Sequence, residues 1–283
     1  VFSGDIGNPA SHLMRDPDPP SGADVVLMEG TYGDRNHQDM DATLEELAQV
    51  LADAHAAGGN VLIPAFAVGR TQELIYDLAM LRNQGRLPQR QVYLDSPMAI
   101  EVSELYLRNM ALLDQSDLAR LTADSRHAHA EALSFVHPTR TPEESRALNS
   151  IKQGAVIIAG SGMCTGGRIV HHLKHNLWRE ETHVVFAGFQ AARTVGRRLV
   201  DGARRVKILG DDVAVRASIH TLGGYSAHAG QSELLQWAKT AASKAELYLV
   251  HGEPDALEAL RVALDETHGI QARIPSYRET VGL

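Results

Sequence analysis

Apolar residues recur along this chain at two different spacings, and the change between them predicts strands separated by helices. Short continuous apolar runs are typical of buried parallel strands, and segments with apolar residues three and four apart are typical of amphipathic helices. The predicted strands cover residues 23–28, 60–64, 92–94, 155–160, 183–187, 213–222 and 247–250, and the predicted helices begin near 43, 71, 98, 169 and 232. Strands that alternate with helices favour an α/β fold with a mainly parallel sheet.

Two histidines, His228 and His251, each follow a predicted strand near the end of the chain. The first strand breaks at two glycines before the loop that holds His228, and the second leads directly to His251. A helix between them, with Ser232 as its predicted N-cap, makes a strand-helix-strand unit. Because strands of such a unit run parallel and open their carboxyl ends on one side, we expect both histidines to face one crevice.

Acidic side chains follow two apolar runs near the start of the chain. Asp5 comes after a short apolar run and Gly4, and Glu29 ends the apolar run 23–28 before a glycine-rich turn. Acids and histidines at strand ends indicate one sheet edge that carries ligating or catalytic groups. From the pattern alone, however, Asp5 is about equally well explained as a turn former.

Three glycine-rich loops follow a predicted strand and precede a predicted helix. They cover residues 66–70, 161–168 and 188–198. Backbone N–H groups and the helix dipole attract anions at such positions, and the loops contribute Arg70, Arg168 and Arg197. Residues 193–207 add six basic side chains against one acid, although a solvated helix face explains that excess about equally well. The loops together favour a phosphate-bearing ligand.

Composition narrows the class of protein. The 283 residues are 44% hydrophobic and 22% charged, as in a globular domain, and no apolar run approaches the roughly 20 residues of a membrane-spanning helix. We therefore expect a cytoplasmic protein without membrane contact. The single cysteine, Cys164, excludes an intrachain disulfide and a thiolate metal site, so a metal needs nitrogen and oxygen ligands. The net charge of −8 argues against a globally basic nucleic-acid binder but not against a local basic groove.

Two further histidine clusters could suggest a metal site. One contains His127 and His129, and the other contains His171, His172 and His175. Neither lies at a predicted strand end, and most histidines in proteins have no ligand role. We therefore do not expect these clusters to bind metal.

An ordered series of motifs resembles the β-CASP branch of the metallo-β-lactamase fold. The motifs are FSGD (2–5), EGTYG (29–33), PAFAVGRTQEL (64–74), DSPMA (95–99), GSGMCTGGR (160–168), GFQAARTVGR (188–197), GGYSAHAG (223–230) and LVHGE (249–253). The loops are most similar to bacterial and archaeal relatives of the endonuclease subunit of the cleavage and polyadenylation specificity factor, and less similar to RNase J. The resemblance implies the later half of a metallo-β-lactamase αββα sandwich, residues 1–39 and 203–283, with an inserted β-CASP α/β domain, residues 40–202.

The resemblance also implies a role for each matching residue. Asp5 matches an aspartate that bridges two zinc ions, and His251 matches a zinc-binding histidine. Glu29 matches an acid that orients a neighbouring histidine, and His228 matches the residue that protonates the leaving group. These roles suit hydrolysis of a phosphodiester by two metals and a general acid. Substrate phosphates would be held by Ser226, Arg70, Ser161, Arg168 and Arg197.

Two departures from the family pattern qualify this assignment. The HxHxDH signature, which supplies most zinc ligands in the family, is absent, and His127-Ala-His129-Ala-Glu131 resembles it only superficially. We therefore expect the later part of a longer protein that binds two Zn²⁺ ions, with weak or absent zinc binding and no activity in this fragment alone. Arg193 stands where relatives usually have glycine, which leaves the substrate contact of that loop open.

The function that the resemblance implies is a zinc-dependent ribonuclease that acts on single-stranded RNA in a cleft between the two domains. One alternative is a metallohydrolase of small esters or thioesters, against which the arginine-bearing loops argue. The other is a non-catalytic RNA-binding or scaffold protein, against which the joint presence of Asp5, Glu29, His228 and His251 argues. A homodimer, the direction of cleavage and the natural RNA target stay open.

Overall fold

The structure is a computed structural model that describes residues 1–9, 11–121, 134–242 and 244–282. It is an α/β protein with mainly parallel sheets, so the predicted fold class is confirmed. The chain divides into two compact units: unit 1 comprises Val1–Gln38 and Ser226–Leu283, and unit 2 comprises Asp39–Tyr225. Among the helices of the described residues, none is both long and apolar enough to span a bilayer.

Strands and helices alternate along most of the described chain. The strands are β1 (Val25–Met28), β2 (Val61–Pro64), β3 (Gln91–Asp95), β4 (Val136–Pro138), β5 (Ala155–Ala159), β6 (His183–Ala187), β7 (Arg205–Ile208), β8 (Asp211–Ala214), β9 (Ser218–Leu222), β10 (Glu246–Leu249) and β11 (Ala272–Arg273). The helices are α1 (Met40–Ala56), α2 (Arg70–Asn83), α3 (Pro97–Arg108), α4 (Gln115–Leu121), α5 (Pro142–Ala147), α6 (Ile169–Asn176), α7 (Val195–Val200), α8 (Gln231–Ala241) and α9 (Pro254–His268). Two 3₁₀ turns cover Met110–Leu112 and Leu148–Ser150.

Unit 2 is built on a six-stranded sheet in the order β4-β3-β5-β2-β6-β9, and each neighbouring pair is parallel. Every residue of β2 is buried because helices cover both faces. Val61 and Ile63 pack in the hydrophobic cluster that includes residues of α1 and α2, whereas Leu62 packs in the cluster that includes residues of α6. Two-sided burial explains why the central strands are continuous apolar runs.

The predicted strand 213–222 is wrong as one element. Its beginning forms β8, which pairs with β7 in an antiparallel hairpin, and its end forms β9, which pairs with β6. β9 lies in the six-stranded sheet and β10 lies in the three-stranded sheet. The two strands of the predicted strand-helix-strand unit therefore do not share a sheet. A short apolar pattern does not specify its pairing partner, and here Arg216 and Ala217 donate backbone hydrogen bonds to Leu177 O at the break between the two strands.

The compact units also differ from the predicted domain ranges at the second boundary. Residues 203–225 lie in unit 2 because β9 hydrogen bonds along its whole length to β6, whereas the sequence-based boundary follows residue 202. The first boundary, between residues 38 and 39, lies one position from the predicted one. As statements about family domains, the ranges 1–39 with 203–283 and 40–202 remain predictions.

Unit 1 contains the parallel three-stranded sheet β1-β10-β11. The first residues extend this sheet, because Phe2 bridges Leu27 in parallel and Ser3 N donates to Leu27 O at 2.9 Å. Apolar residues of α8 and α9, among them Leu234 and Leu260, pack with the strands in one buried cluster. The sheet therefore presents the ends of β1 and β10 side by side.

The helix ends test one predicted cap. After α1, Gly58 has a φ of +68°, which favours glycine, and its N–H donates to His55 O. The predicted N-cap Ser232 is wrong, because α8 begins at Gln231 after Gly230. The side chain of Asn36 accepts a hydrogen bond from Ser232 N at 2.9 Å, so a residue distant in sequence satisfies this helix start.

Candidate metal and catalytic site

Asp5 reaches the edge of the unit 1 sheet through a tight turn. Gly4 has a φ of +59°, a conformation that favours glycine, and it directs the chain away from β1 just before Asp5. The next residues run antiparallel to the loop after Ser226, where Gly7 bridges His228 and Ala229 N donates to Ile6 O at 2.8 Å. The Asp5 carboxylate consequently lies exposed beside the loop that carries His228.

Glu29 and His228 form a hydrogen-bonded pair. Glu29 directly follows β1 and is buried, and both of its carboxylate oxygens lie 2.8–2.9 Å from His228 Nδ1. Ile6 N also donates to Glu29 Oε1 at 2.6 Å, and Thr31 N donates to Oε2 at 3.3 Å. Because a carboxylate only accepts hydrogen bonds, it keeps the proton on Nδ1 and leaves Nε2 as the reactive ring nitrogen.

The hydrogen bond shifts the pKa of both partners. Contact with Glu29 raises the pKa of His228 above its usual value, against the opposing effect of burial. Burial by itself would raise the pKa of Glu29, but the hydrogen bonds from His228 and Thr31 outweigh it and lower that pKa. The charged forms of both groups therefore stabilise each other.

His251 follows β10 and meets the same edge from the neighbouring strand. Val250 N donates to Met28 O, and Gly30 N donates to His251 O at 3.0 Å, so the two strand ends are hydrogen bonded. His251 has a φ of +41°, which is strained for a residue with a side chain. A Cβ on Gly252 would lie 2.9 Å from Gly30 O, so this close approach of the backbones requires glycine.

Asp5, His228 and His251 converge, and one ligand atom from each lies within 4.8 Å of the others. His251 Nδ1 is 3.4 Å from Asp5 Oδ1, and His228 Nε2 is 4.0 Å from Asp5 Oδ2. One carboxylate and two imidazoles are ligands that Zn²⁺ accepts. The donor set therefore fits the implied metal, and the Glu29 contact resembles the carboxylate partner that metal-binding histidines often have.

Ser226 shapes the His228 loop. Its Oγ accepts a hydrogen bond from His228 N at 3.1 Å and donates one to His228 O at 3.0 Å, and the residue is buried. A predicted phosphate contact by Ser226 would have to share a hydroxyl that already holds this turn. That role stays a prediction.

Arg70, a predicted phosphate ligand in unit 2, is buried at the start of α2. Its guanidinium pairs with Glu73 and lies 5.2 Å from the centroid of the Tyr225 ring. Tyr225 in turn donates to the Asp77 carboxylate, and burial raises the pKa of Tyr225 well above its usual value. Arg70 is thus part of an internal charged network that the sequence pattern did not reveal.

Arg168, a second predicted phosphate ligand, also has internal partners. Its Nη1 donates to Asp95 Oδ1 at 2.7 Å and to Thr139 O at 2.8 Å, and its Nη2 donates to Arg140 O at 3.0 Å. Asp95 ends β3 and is fully buried, and it accepts further hydrogen bonds from Thr139 Oγ1, Ser145 Oγ and His172 Nε2. Burial alone would raise the pKa of Asp95, but these four donors hold it well below its usual range.

The remaining predicted substrate contacts, Arg197 and Ser161, keep part of their surface accessible. Arg197 Nε donates to both carboxylate oxygens of Asp201, and the arginine side chain is 40% exposed. Ser161 Oγ accepts from Thr165 N at 3.2 Å and stabilises its own glycine-rich loop. Arg193, in the third loop, has a φ of +69°, which explains why glycine suits that position.

The structure adds residues that sequence reasoning missed. His37 Nε2 lies 2.9 Å from His228 O, its ring meets Tyr32 edge-on, and burial lowers its pKa. The sequence contained a signal for Asp95, because it is an acid at the end of a predicted strand, as Glu29 is. It contained none for His172, because helical spacing does not show that this histidine contacts a buried acid on a different strand.

Comparison with known proteins agrees with the motifs. A family model described as the Beta-Casp domain matches residues 71–199, and one described as the Zn-dependent metallo-hydrolase RNA specificity domain matches residues 212–275. Ribonuclease TTHA0252 of Thermus thermophilus is 43% identical over 260 residues, which cover 92% of this chain and 58% of that protein.

Two archaeal relatives are more distant. Transcription termination factor FttA of Pyrococcus horikoshii is 28% identical over 268 residues, which cover 92% of this chain and 41% of the relative. RNase aCSPSF2 of Saccharolobus solfataricus is 28% identical over 285 residues, which cover all of this chain and 54% of the relative. The chain thus spans about half the length of the curated relatives it matches.

Proposed function

Because this chain belongs to the β-CASP family of the metallo-β-lactamase fold, we propose that the protein is a zinc-dependent ribonuclease that hydrolyses phosphodiester bonds of single-stranded RNA. The observation that carries the proposal is the convergence of Asp5, His228 and His251, with Glu29 buried behind His228. The names of the relatives support RNA as the substrate, and the description of the second family model supports zinc.

In this proposal Asp5 and His251 would be among the residues that hold two Zn²⁺ ions in the full-length protein. Zinc, when bound, supplies an activated hydroxide at neutral pH and neutralises the phosphate charge. His228 Nε2 lies 4.0 Å from Asp5 Oδ2, beside the proposed zinc ligands. With Nδ1 held by Glu29, a protonated Nε2 can donate to the departing oxygen as a general acid.

His228 Nε2 has one competing role. When it is unprotonated it can bind a metal ion, and metal-binding histidines are often oriented by a carboxylate such as Glu29. Both roles need Glu29, so only a variant at His228 separates them. If His228 is the proton donor, His228→Ala in the full-length protein retains zinc and lowers the RNA cleavage rate by about 10²–10⁴-fold. His251→Ala lowers zinc content and cleavage together.

The measurement pairs zinc by atomic absorption with cleavage of a single-stranded RNA oligomer. His268→Ala is the matched control, because His268 ends α9 in the same unit and is absent from the metal cluster. An unchanged rate in His228→Ala rejects the acid role, and loss of zinc makes His228 a ligand. Hydrolysis of a thioester or lactone without cleavage of RNA contradicts the proposed substrate.

For substrate binding, we propose that Arg197 and Ser161 contact flanking phosphates, since Ser161 lies in the loop between β5 and α6, Arg197 lies in the first turn of α7, and both keep accessible surface. Phosphate contacts by Arg70 and Arg168 would have to compete with their ion pairs to Glu73 and Asp95. Ser226 supports the His228 loop.

A further inference from the structure

A pocket of about 290 Å³ lies in unit 2. Its lining comes from α5, the following 3₁₀ turn, and α6 with the preceding Arg168. The residues that matter here are Arg146, Asn149, Arg168, His171, His172 and His175. Two guanidinium groups and three imidazoles therefore surround one cavity, and none of the described residues that line it is acidic.

The basic groups at the pocket differ in how firmly the protein already holds them. Arg168 is bound to Asp95 and to two backbone carbonyls. Arg146 pairs with Glu143 at 2.5 Å, but the arginine side chain is 68% exposed, and such exposed pairs contribute little. Arg146 can therefore turn to another anion at small cost.

His171 and His175 lie four residues apart on α6, so they share one face of the helix, and both are exposed. Partial burial lowers the pKa of His175, and the next causes are all positive neighbours, led by Lys174 and His172. Three acids lie near this face: Glu143 and Asp211 pair with Arg146 and Lys174, and Asp95 pairs with Arg168 and His172. With the three histidines counted, basic side chains therefore outnumber acidic ones around the pocket, although the protein is acidic overall.

His172 provides an independent observation. It is 1% exposed and lines the pocket, and its Nε2 is bound to Asp95 at 2.6 Å. Its other ring nitrogen, Nδ1, is buried without a hydrogen-bond partner, and Asn149 Oδ1 is in the same condition. Buried polar atoms normally have partners. Because Nε2 donates to Asp95, Nδ1 is an acceptor like Asn149 Oδ1, so a ligand that satisfies either atom must carry an O–H or N–H group, as hydrogen phosphate does.

The sign of the ligand follows from the surrounding charge. Two histidines four apart on a helix can bind Zn²⁺, but no third histidine, cysteine or carboxylate completes such a set among the described residues. Arg146, Arg168 and Lys174 repel a cation, whereas a phosphate accepts a charge-assisted hydrogen bond from a guanidinium group and hydrogen bonds from imidazole N–H groups. We propose that this pocket binds a phosphate group, with Arg146, His171 and His175 as its principal donors.

The test is calorimetric titration of the full chain with inorganic phosphate. The combined variant Arg146→Ala, His171→Ala, His175→Ala is expected to lower the affinity about tenfold or more. Its matched control combines Arg108→Ala with His55→Ala, because Arg108 is an equally exposed arginine paired with a glutamate, and His55 is an exposed histidine in the last turn of α1. The control is expected to bind phosphate as the unchanged chain does.

Oligodeoxynucleotides with a 5′-phosphate or a 5′-hydroxyl distinguish the source of the phosphate. If the pocket takes the end of a nucleic acid, only the 5′-phosphorylated probe loses affinity in the variant. If it takes free phosphate, only the inorganic ion does, and both results support the proposal. If the variant, the control and the unchanged chain bind both inorganic phosphate and the 5′-phosphorylated probe with equal affinity, the proposal is overturned. Loss of Zn²⁺ binding without loss of phosphate binding overturns it as well.

Discussion

The two units of this protein each contain a buried carboxylate that is hydrogen bonded to a histidine, and the two pairs differ in what surrounds the histidine. In unit 1, Glu29 follows β1 and contacts His228. In unit 2, Asp95 ends β3 and contacts His172 at 2.6 Å. Both acids are almost completely buried. The local pattern, an acid at the carboxyl end of a parallel strand, is therefore the same.

The two pairs differ in the surroundings of the histidine ring nitrogen that does not contact the carboxylate. The His228 side chain is 22% exposed and its Nε2 lies near Asp5, whereas the His172 side chain is 1% exposed. Asp95 also accepts hydrogen bonds from Arg168 and from two hydroxyl groups. Among the hydrogen bonds of the described residues, His228 is the only cationic partner of Glu29. The accessible ring of His228 suits the proposed chemistry, whereas the enclosed ring of His172 contributes to the internal hydrogen bonds of unit 2.

The largest expected effect is the loss of stability when each carboxylate is replaced by its amide. Asp95→Asn should lower the free energy of unfolding by about 3–5 kcal/mol, because it leaves the Arg168 guanidinium without its buried counter-charge. Glu29→Gln should lower it by about 1–3 kcal/mol, because His228 can become neutral and the amide oxygen can still accept a hydrogen bond.

Urea unfolding measures this difference by tryptophan fluorescence. The chain has two tryptophans, Trp178 in unit 2 and Trp237 in unit 1. Asp95→Asn is compared with its parent in a Trp237→Phe background, and Glu29→Gln in a Trp178→Phe background. Equal losses would contradict the distinction between a structural and a functional pair.

A smaller difference in stability should separate Arg168 from Arg197, which the sequence predicts to have the same role as phosphate ligands. Arg168→Ala is expected to lower the free energy of unfolding of unit 2 by about 2–3 kcal/mol, because the guanidinium is mostly buried against Asp95. Arg197→Ala should cost less than about 1 kcal/mol, since its pair with Asp201 is exposed. Urea midpoints in the Trp237→Phe background provide the comparison, and a larger loss for Arg197→Ala would refute it.

The smallest expected effect is the pH dependence that Asp95 contributes to unit 2. Its folded pKa is lowered, so its stabilisation is fully present above the unfolded value near 3.9 and is lost as pH falls towards the folded value. One proton changes the free energy of unfolding by at most about 1.4 kcal/mol per pH unit. Urea unfolding of the Trp237→Phe chain between pH 5 and about pH 3 should show that slope, and Asp95→Asn should reduce it. An unchanged slope in Asp95→Asn would assign the acid sensitivity to other carboxylates.

Much of the fold could be predicted because its signals are local. Continuous apolar runs identified the central strands, because two-sided burial requires apolar residues at every position. Asp5, Glu29, His228 and His251 were found because strand ends followed by glycine are where parallel sheets expose functional groups. Their convergence is what the structure shows, and their roles remain to be tested.

The errors have one physical origin, which is that pairing between distant segments is not encoded in spacing. His228 and His251 do lie together, but through the antiparallel contact of Gly7 with His228 and not through a shared sheet of β9 and β10. Spacing likewise did not reveal that Arg70 and Arg168 pair with the buried acids Glu73 and Asp95, and their predicted phosphate contacts stay predictions.

The sequence by itself therefore determined the α/β class, the order of most elements and the side chains placed at strand ends, because periodicity and glycine conformations act over a few residues. Only the tertiary structure decided which strands share a sheet, which arginines remain accessible and which of two carboxylate–histidine pairs meets solvent. Burial and charge pairing depend on the contacts that each element makes in the folded protein, and those contacts come from segments far apart in the chain.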